Sequence, residues 1–152
     1  MRLIDIRAAR AQDRESWIGL WMDWQRHMKG AIPADATDKA WQLAQAPGSA
    51  LAILLAFAPD GQAIGFATVS FTPFAWTGSD IAFLQDLFVR ESARGLGAGE
   101  ALLRAVYAKA DEKGATQVFW VVDETDEKLQ RFYERNAIRT PYLRYMRGPW
   151  PW

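Results

Sequence analysis

A chain of 152 residues, half of them hydrophobic, has the size of one domain, 1–152, able to bury a full core, and its 18 Lys and Arg against 18 Asp and Glu leave no net charge. Neutrality removes the electrostatic footprint that nucleic acid or an acidic membrane needs, and the absence of cysteine rules out disulfides, zinc-thiolate sites and a thiol nucleophile, with no metal expected. The longest apolar run, Ala50 to Ala58, is far short of a membrane span, and the Met-Arg-Leu-Ile-Asp start lacks a signal-peptide core, which points to a cytoplasmic protein with no membrane partner.

In chain order, Leu3 to Ala8 reads as a short strand, after which Asp13 offers a helix N-cap. Trp17, Leu20, Trp21, Trp24 and Met28 recur at three- and four-residue spacing and form one apolar stripe. Trp17 and Trp21 belong to a core, whereas Trp24 and His27 fall near the helix end, where they could border a pocket. Thr37 to Gln45 is a second short helix, anchored by Trp41 and closed by Pro47-Gly48. Ala50 to Ala58 and Ala63 to Phe71 flank Pro59-Asp60-Gly61 as a hairpin, Thr72 to Ser79 breaks the pattern, and Ile81 to Val89 is the next strand. Leu102, Leu103, Val106, Tyr107 and Ala110 mark an amphipathic helix closed by Gly114. Gln117 to Val122, nearly free of polar residues, has the pattern of a central strand buried on both faces. Asp123 to Asp126 caps a last helix with Leu129, Phe132 and Tyr133 on its apolar face, and Tyr142 to Arg147 is a final strand. Gly148-Pro149-Trp150-Pro151-Trp152 cannot extend a sheet, because two prolines remove donors.

Between the strand ending at Val89 and the helix that follows lies Arg94-Gly95-Leu96-Gly97-Ala98-Gly99. Its glycines remove the Cβ atoms that keep an anion from the backbone, and the helix N-terminus behind them presents unpaired N–H groups. No Gly-Lys-Ser or Gly-Lys-Thr occurs, which excludes a nucleoside-triphosphate P-loop. A dinucleotide fingerprint fails because its third glycine would fall at Glu100. Six residues alone suit a plain strand-to-helix turn equally well.

Arg94 to Gly99 after Leu87-Phe88-Val89-Arg90 resembles the signature of the GNAT superfamily of N-acetyltransferases, whose Q/R-x-x-G-x-G/A turn holds the pyrophosphate of acetyl-coenzyme A. The flanks extend the resemblance over nearly the whole chain: Phe71 to Gly78, Phe83 to Val89, and Leu129-Gln130-Arg131-Phe132-Tyr133-Glu134-Arg135 are most similar to the spermidine/spermine, small-amine branch. The resemblance implies an α/β fold with a mixed central sheet of about six to seven strands flanked by about four helices. It implies transfer of an acetyl group to the primary amine of a small molecule by direct attack in a ternary complex. A non-catalytic acyl-coenzyme A sensor of the same fold is the alternative.

By the same resemblance, Leu87, Phe88 and Val89 bind the pantetheine arm through main-chain groups, and Arg94, Gly95, Leu96, Gly97, Ala98 and Gly99 bind the pyrophosphate, with Asp126 and Arg135 nearby. Tyr133 matches the tyrosine that donates a proton to the departing thiolate, a suitable task for a phenol with a pKa of about 10. The sequence departs from the pattern at Asp126, usually asparagine, at Ala137-Ile138, usually Gly-Phe, and at Gln85, often a glutamate that deprotonates the acceptor. Glutamine cannot be a base, so the amine's proton leaves through Asp86, ordered water or bulk solvent; Asp86 is equally suited to a cap or surface role. Trp24, Trp76 and Tyr142 offer aromatic faces to a cationic acceptor, and Trp150 and Trp152, together with the habit of the small-amine branch, point to a homodimer.

Overall fold

A computed structural model of the protein describes residues 4–148. Five strands, β1 (Asp5–Ala8), β2 (Leu51–Phe57), β3 (Ala63–Phe74), β4 (Ser79–Val89) and β5 (Val118–Phe119), form one sheet in that spatial order. The first four are antiparallel neighbours, and β5 joins β4 in parallel. Helices α1 (Arg14–Met28) and α2 (Ala34–Gln45) cover one face, and α3 (Ala98–Glu112) and α4 (Glu127–Glu134) belong to the other side.

Alternation along β2 and β3 sorts the core into two layers. Ile53, Leu55 and Phe66 point toward α1 and α2, while Leu54, Ala67 and Val69 point toward α3. On the first face the tryptophans stack: Trp17 lies 5.1 Å from both Trp21 and Trp41, and Trp21 lies 4.9 Å from Trp24, centre to centre. Such ring pairs add about 0.5 to 1.5 kcal/mol each to the area they bury. Trp21 Nε1 donates to the buried Thr37 hydroxyl at 3.0 Å, which locks α1 to α2. On the second face Leu102, Leu103 and Val106 are fully buried against the sheet, as their helical spacing predicts.

Asp13 does occupy the N-cap position of α1, yet its carboxylate does not cap the helix. It accepts from Arg7 Nη1 at 2.6 Å, Arg7 Nη2 at 3.0 Å and the Arg10 amide at 2.7 Å. The hydrogen-bonded Arg7 guanidinium holds its pKa below the usual carboxylate range despite burial, and the pair ties β1 to α1.

Four expectations require correction. The sheet has five strands among the described residues, and β3 runs on through Pro73 to Phe74 rather than stopping at Phe71. The proline is tolerated because β2 ends opposite Ser70, so that edge of β3 needs no donor. The segment expected as a central strand, 117–122, is reduced to Val118–Phe119 at the end of the strand order, and Val121 is 51% exposed. Residues 142–147 form no strand, for so short a β5 offers no ladder to pair with; Tyr142 and Tyr145 are 85% and 89% exposed. Trp150 and Trp152 lie outside the described residues.

Gly65 marks the closest approach of β3 to β4. A Cβ there would sit 2.6 Å from Phe88 O and 3.3 Å from Leu102 Cδ1. The carbonyl belongs to a paired strand and cannot yield cheaply. Gly65→Ala should therefore destabilise the fold by about 2 to 3 kcal/mol, measured by urea denaturation; a protein as stable as wild type would show that the two strands are free to separate.

Candidate active site

Strand β4 parts from β5 midway. Ala82 N donates to Gln117 O at 2.8 Å, and the two strands pair at Ala82↔Val118 and Phe83↔Phe119. Past that point β4 has β3 on one side and no described strand on the other. Arg90 N donates to Ile64 O at 2.8 Å, so residues 64 and 90 are a bonded pair, and bonding alternates along an antiparallel ladder. Val89 and Leu87, opposite Gly65 and Ala67, therefore turn their N–H and C=O groups into the opening. An extended arm with amides of its own can add there as a further strand. Phe88 differs from its neighbours: its backbone bonds to β3, and its ring lies 5.9 Å from His27 and 6.2 Å from Phe66 on the α1 face.

The opening leads into the glycine turn. After the 3-10 turn Glu91–Ala93, Gly95 and Gly97 have φ of +80° and +86°, a region that side chains other than glycine rarely enter. A Cβ on either would meet nothing within 4 Å. Gly97 is the N-cap of α3, Ala98 is buried under its first turn, and Leu96 stands exposed. The result is a concave turn of bare backbone at the positive end of a helix dipole, the polarity that a pyrophosphate needs. Gly99 brings α4 in from the side, since a Cβ there would lie 3.6 Å from Phe132 Cζ. The Arg135 guanidinium lies 5.9 Å from the centre of the Phe132 ring. Arg94 Nε donates to Val89 O at 2.9 Å.

The ladder register slips between Thr68↔Asp86 and Val69↔Leu84, which leaves Gln85 as the extra, exposed residue of a bulge. One added residue reverses the facing of all that follows. Leu84 packs in the α3 layer, whereas Asp86 shares the α1 face with Phe88. Burial raises the Asp86 pKa from its ordinary value to about 6. Thr68 Oγ1, buried directly across the ladder, lowers that value by less than burial raises it and makes no hydrogen bond of good geometry.

Tyr133 stands on the β5 side of the opening, its ring 5.1 Å from Trp120 and 5.3 Å from Phe132. Burial foremost, with the Asp126 charge adding, raises its pKa to about 12, so the phenol keeps its proton at neutral pH. Asp126 itself caps α4, accepting from Leu129 N at 3.0 Å. The far end of α4 is tied down by Tyr107, whose hydroxyl donates to Asn136 O at 2.9 Å.

The expected aromatic border of the acceptor pocket is not brought together. Trp24 stacks on Trp21 on the α1 face. Trp76 is 85% exposed at the β3–β4 hairpin tip, packed on Phe74, and Phe74 is about 20 Å along β3 from the Thr68↔Asp86 pair at roughly 3.3 Å per residue. Tyr142 is as exposed as Trp76, in the irregular segment after α4. In their place lies a cavity of about 690 Å³ between α1 and the end of β4, lined by Asp23, Arg26, His27, Phe88, Arg90 and Arg94 among others. Asp23 bridges Arg26 and Arg90 there, with Arg90 Nε 2.7 Å from its carboxylate. Sequence reasoning passed over Thr68 and gave Arg90 no role. The signal for Thr68 was present, as one of the few polar residues in an apolar strand.

Because the concavity depends on bare backbone at positive φ, Gly97→Val should remove the rise in melting temperature that acetyl-coenzyme A gives a folded protein able to bind it. An undiminished rise in a folded Gly97→Val protein would dismiss the turn as the phosphate site.

Comparison with known proteins agrees with this geometry. The profile described as "Acetyltransferase (GNAT) family" matches residues 14–137. A D-amino-acid N-acetyltransferase of Saccharomyces cerevisiae is 32% identical over 146 residues, covering 95% of this chain and 91% of that protein. An aminoglycoside N(6')-acetyltransferase type 1 of Klebsiella aerogenes is 34% identical over 119 residues, covering 74% of each. Among solved structures, AAC(6')-Iy in complex with the bisubstrate analogue CoA-S-monomethyl-acetylneamine superposes with a TM-score of 0.80 at 27% identity, over 97% of this chain and 99% of that one. A match over most of its length, joined to a split sheet that opens onto a glycine turn, places the chain in the GNAT family as an acetyl-coenzyme A-dependent N-acetyltransferase.

Proposed function

We propose that this N-acetyltransferase takes the amine of a small molecule from the α1 face of β4, with Asp86 receiving the proton that the amine must lose. The observation that carries the reading is the position of Asp86, the one acid on β4 that the bulge turns out of the α3 core and next to the open edge. An ammonium with a pKa of about 10.4 is no nucleophile until it is deprotonated, and a carboxylate whose pKa lies near 6 is charged, and a stronger base than a solvent-exposed one, at pH 7. Acetyl-coenzyme A supplies the activated acetyl thioester, held by Leu87 and Val89 along its arm and by Arg94 to Gly99, with Arg135, at its phosphates. Tyr133, protonated throughout the neutral range, gives a proton to the departing sulfur in this reading.

The acceptor in this reading carries one or two positive charges. Trp24 and Asp86 suit one cation, but α1 adds only Glu15 and Asp23, and Asp23 is held by two arginines. A spermine-like chain with several charges therefore finds little to pair with, in keeping with a relative named for D-amino acids rather than polyamines. A cytoplasmic location belongs to the same reading.

Two substitutions test the proton path. Tyr133→Phe should lower turnover by about 10² to 10⁴-fold with nearly unchanged melting temperature. The acid limb of the kcat/KM profile should have an apparent pKa near 6 in wild type and vanish in Asp86→Asn. Stability should move the opposite way. The folded-state pKa of Asp86 lies above its unfolded value of about 3.9, so the fold gains from protonation below that value and loses the gain as pH rises through about 6. Asp86→Asn should therefore stabilise the protein at pH 8 by about 1 to 3 kcal/mol and far less at pH 4. A pH profile unchanged by the substitution would reject Asp86 as the proton acceptor.

We infer a homodimer as well. Ile138, Tyr142, Leu143 and Tyr145 are highly exposed, more apolar surface in one segment than a solitary domain usually shows. Light scattering at micromolar concentration should give twice the chain mass, and Tyr142→Ser with Tyr145→Ser should shift it toward a monomer. A wild-type monomer would reject the dimer.

A further inference from the structure

Arg94 lies on the group that an added strand requires. Its Nε donates to Val89 O at 2.9 Å, and its guanidinium carbon is 5.8 Å from the centre of the Phe88 ring. The side chain thus folds back from the glycine turn and crosses the edge of β4. The Val89 carbonyl points into the opening, because residues 64 and 90 form the bonded pair of the ladder. Of the two acceptor sites on its oxygen, the guanidinium holds one, so an arm that adds there meets a carbonyl already bonded. Arg94 has no competing ionic partner: Asp23 is taken by Arg26 and Arg90, and no described carboxylate pairs with Arg94.

We propose that Arg94 is a specificity-determining latch, which holds the Val89 carbonyl until a phosphate offers the guanidinium a better partner. The β4 edge then accepts thioesters of coenzyme A and disfavours thioesters that carry the same arm without phosphate. A phosphate offers the guanidinium an opposite charge and two parallel N–H···O bonds, whereas the Val89 carbonyl is neutral and accepts from Nε, so a pyrophosphate in the neighbouring cradle outcompetes it. A phosphate-free ligand provides no such exchange. Its apparent affinity falls by the fraction of protein in which the edge is clear. The inference rests on the arm lying along Leu87 and Val89 and the phosphates at the turn.

Titration calorimetry with S-acetyl-pantetheine and with acetyl-coenzyme A, on wild type, Arg94→Ala and Arg94→Lys, tests it through opposite signs. Arg94→Ala should bind S-acetyl-pantetheine about three- to tenfold more tightly than wild type, since the edge is released. The same protein should bind acetyl-coenzyme A about tenfold or more weakly, since the phosphate partner is gone. Arg94→Lys keeps the charge without the planar fork and should recover part of the acetyl-coenzyme A affinity. Unchanged, weaker or undetectable S-acetyl-pantetheine binding by a folded Arg94→Ala protein would overturn the latch. Intact acetyl-coenzyme A binding in Gly97→Val would instead overturn the placement on which it rests, so the two failures are separable.

Discussion

Every N–H and C=O of a strand needs a hydrogen-bond partner, and β4 is the strand where the sheet itself does not meet that need. Its first half is paired on both sides; its second half is paired with β3 alone. The bulge at Gln85 governs where the deficit falls. It turns the groups of Leu87 and Val89 toward the opening, and in the same residue it turns Asp86 from the α3 core to the α1 face. The open backbone of Leu87 and Val89 and the facing of Asp86 thus follow from one irregularity in one ladder.

Four aspartates show how far environment separates chemically identical groups. Asp13 is held below its ordinary pKa first by the Arg7 guanidinium. In Asp23, burial opposes the charge, but Arg90 and Arg26 outweigh it. Both contribute stability that is present above the unfolded carboxylate pKa and lost as pH falls through their folded values. Asp126 accepts the Leu129 amide and, through its charge, helps keep the Tyr133 phenol protonated. Asp86 is raised, because its burial outweighs the Thr68 hydroxyl across the ladder. It is the one whose chemistry is available near neutrality.

Much of this was legible in the sequence, for reasons particular to each element. The stripe Trp17, Leu20, Trp21 predicted the buried face of α1, and the spacing of Leu102, Leu103 and Val106 predicted that of α3. The glycines at 95, 97 and 99 announced their turn, because positive φ and bare backbone leave a compositional mark. The final strands were misread because apolar content is not pairing: Val121 and Val122 have strand propensity but no ladder, since β4 has already turned away. The bulge was invisible, for Leu84-Gln85-Asp86 reads as ordinary alternation, and only the register against Thr68 and Val69 reveals the extra residue. Asp23 with Arg90 was hidden for a different reason, as the two lie 67 positions apart.

The tryptophan stack has an optical consequence. Trp17, Trp21, Trp41 and Trp24 form a chain of indoles with centres 4.9 to 5.1 Å apart, close enough for their transitions to couple, and all lie on the α1–α2 side of the sheet. Near-ultraviolet circular dichroism, which depends on fixed tertiary packing, therefore carries a strong contribution from one layer of the molecule. Far-ultraviolet ellipticity averages over all four helices. A difference between the two signals during unfolding would reveal the α1–α2 layer loosening while the α3 layer still holds.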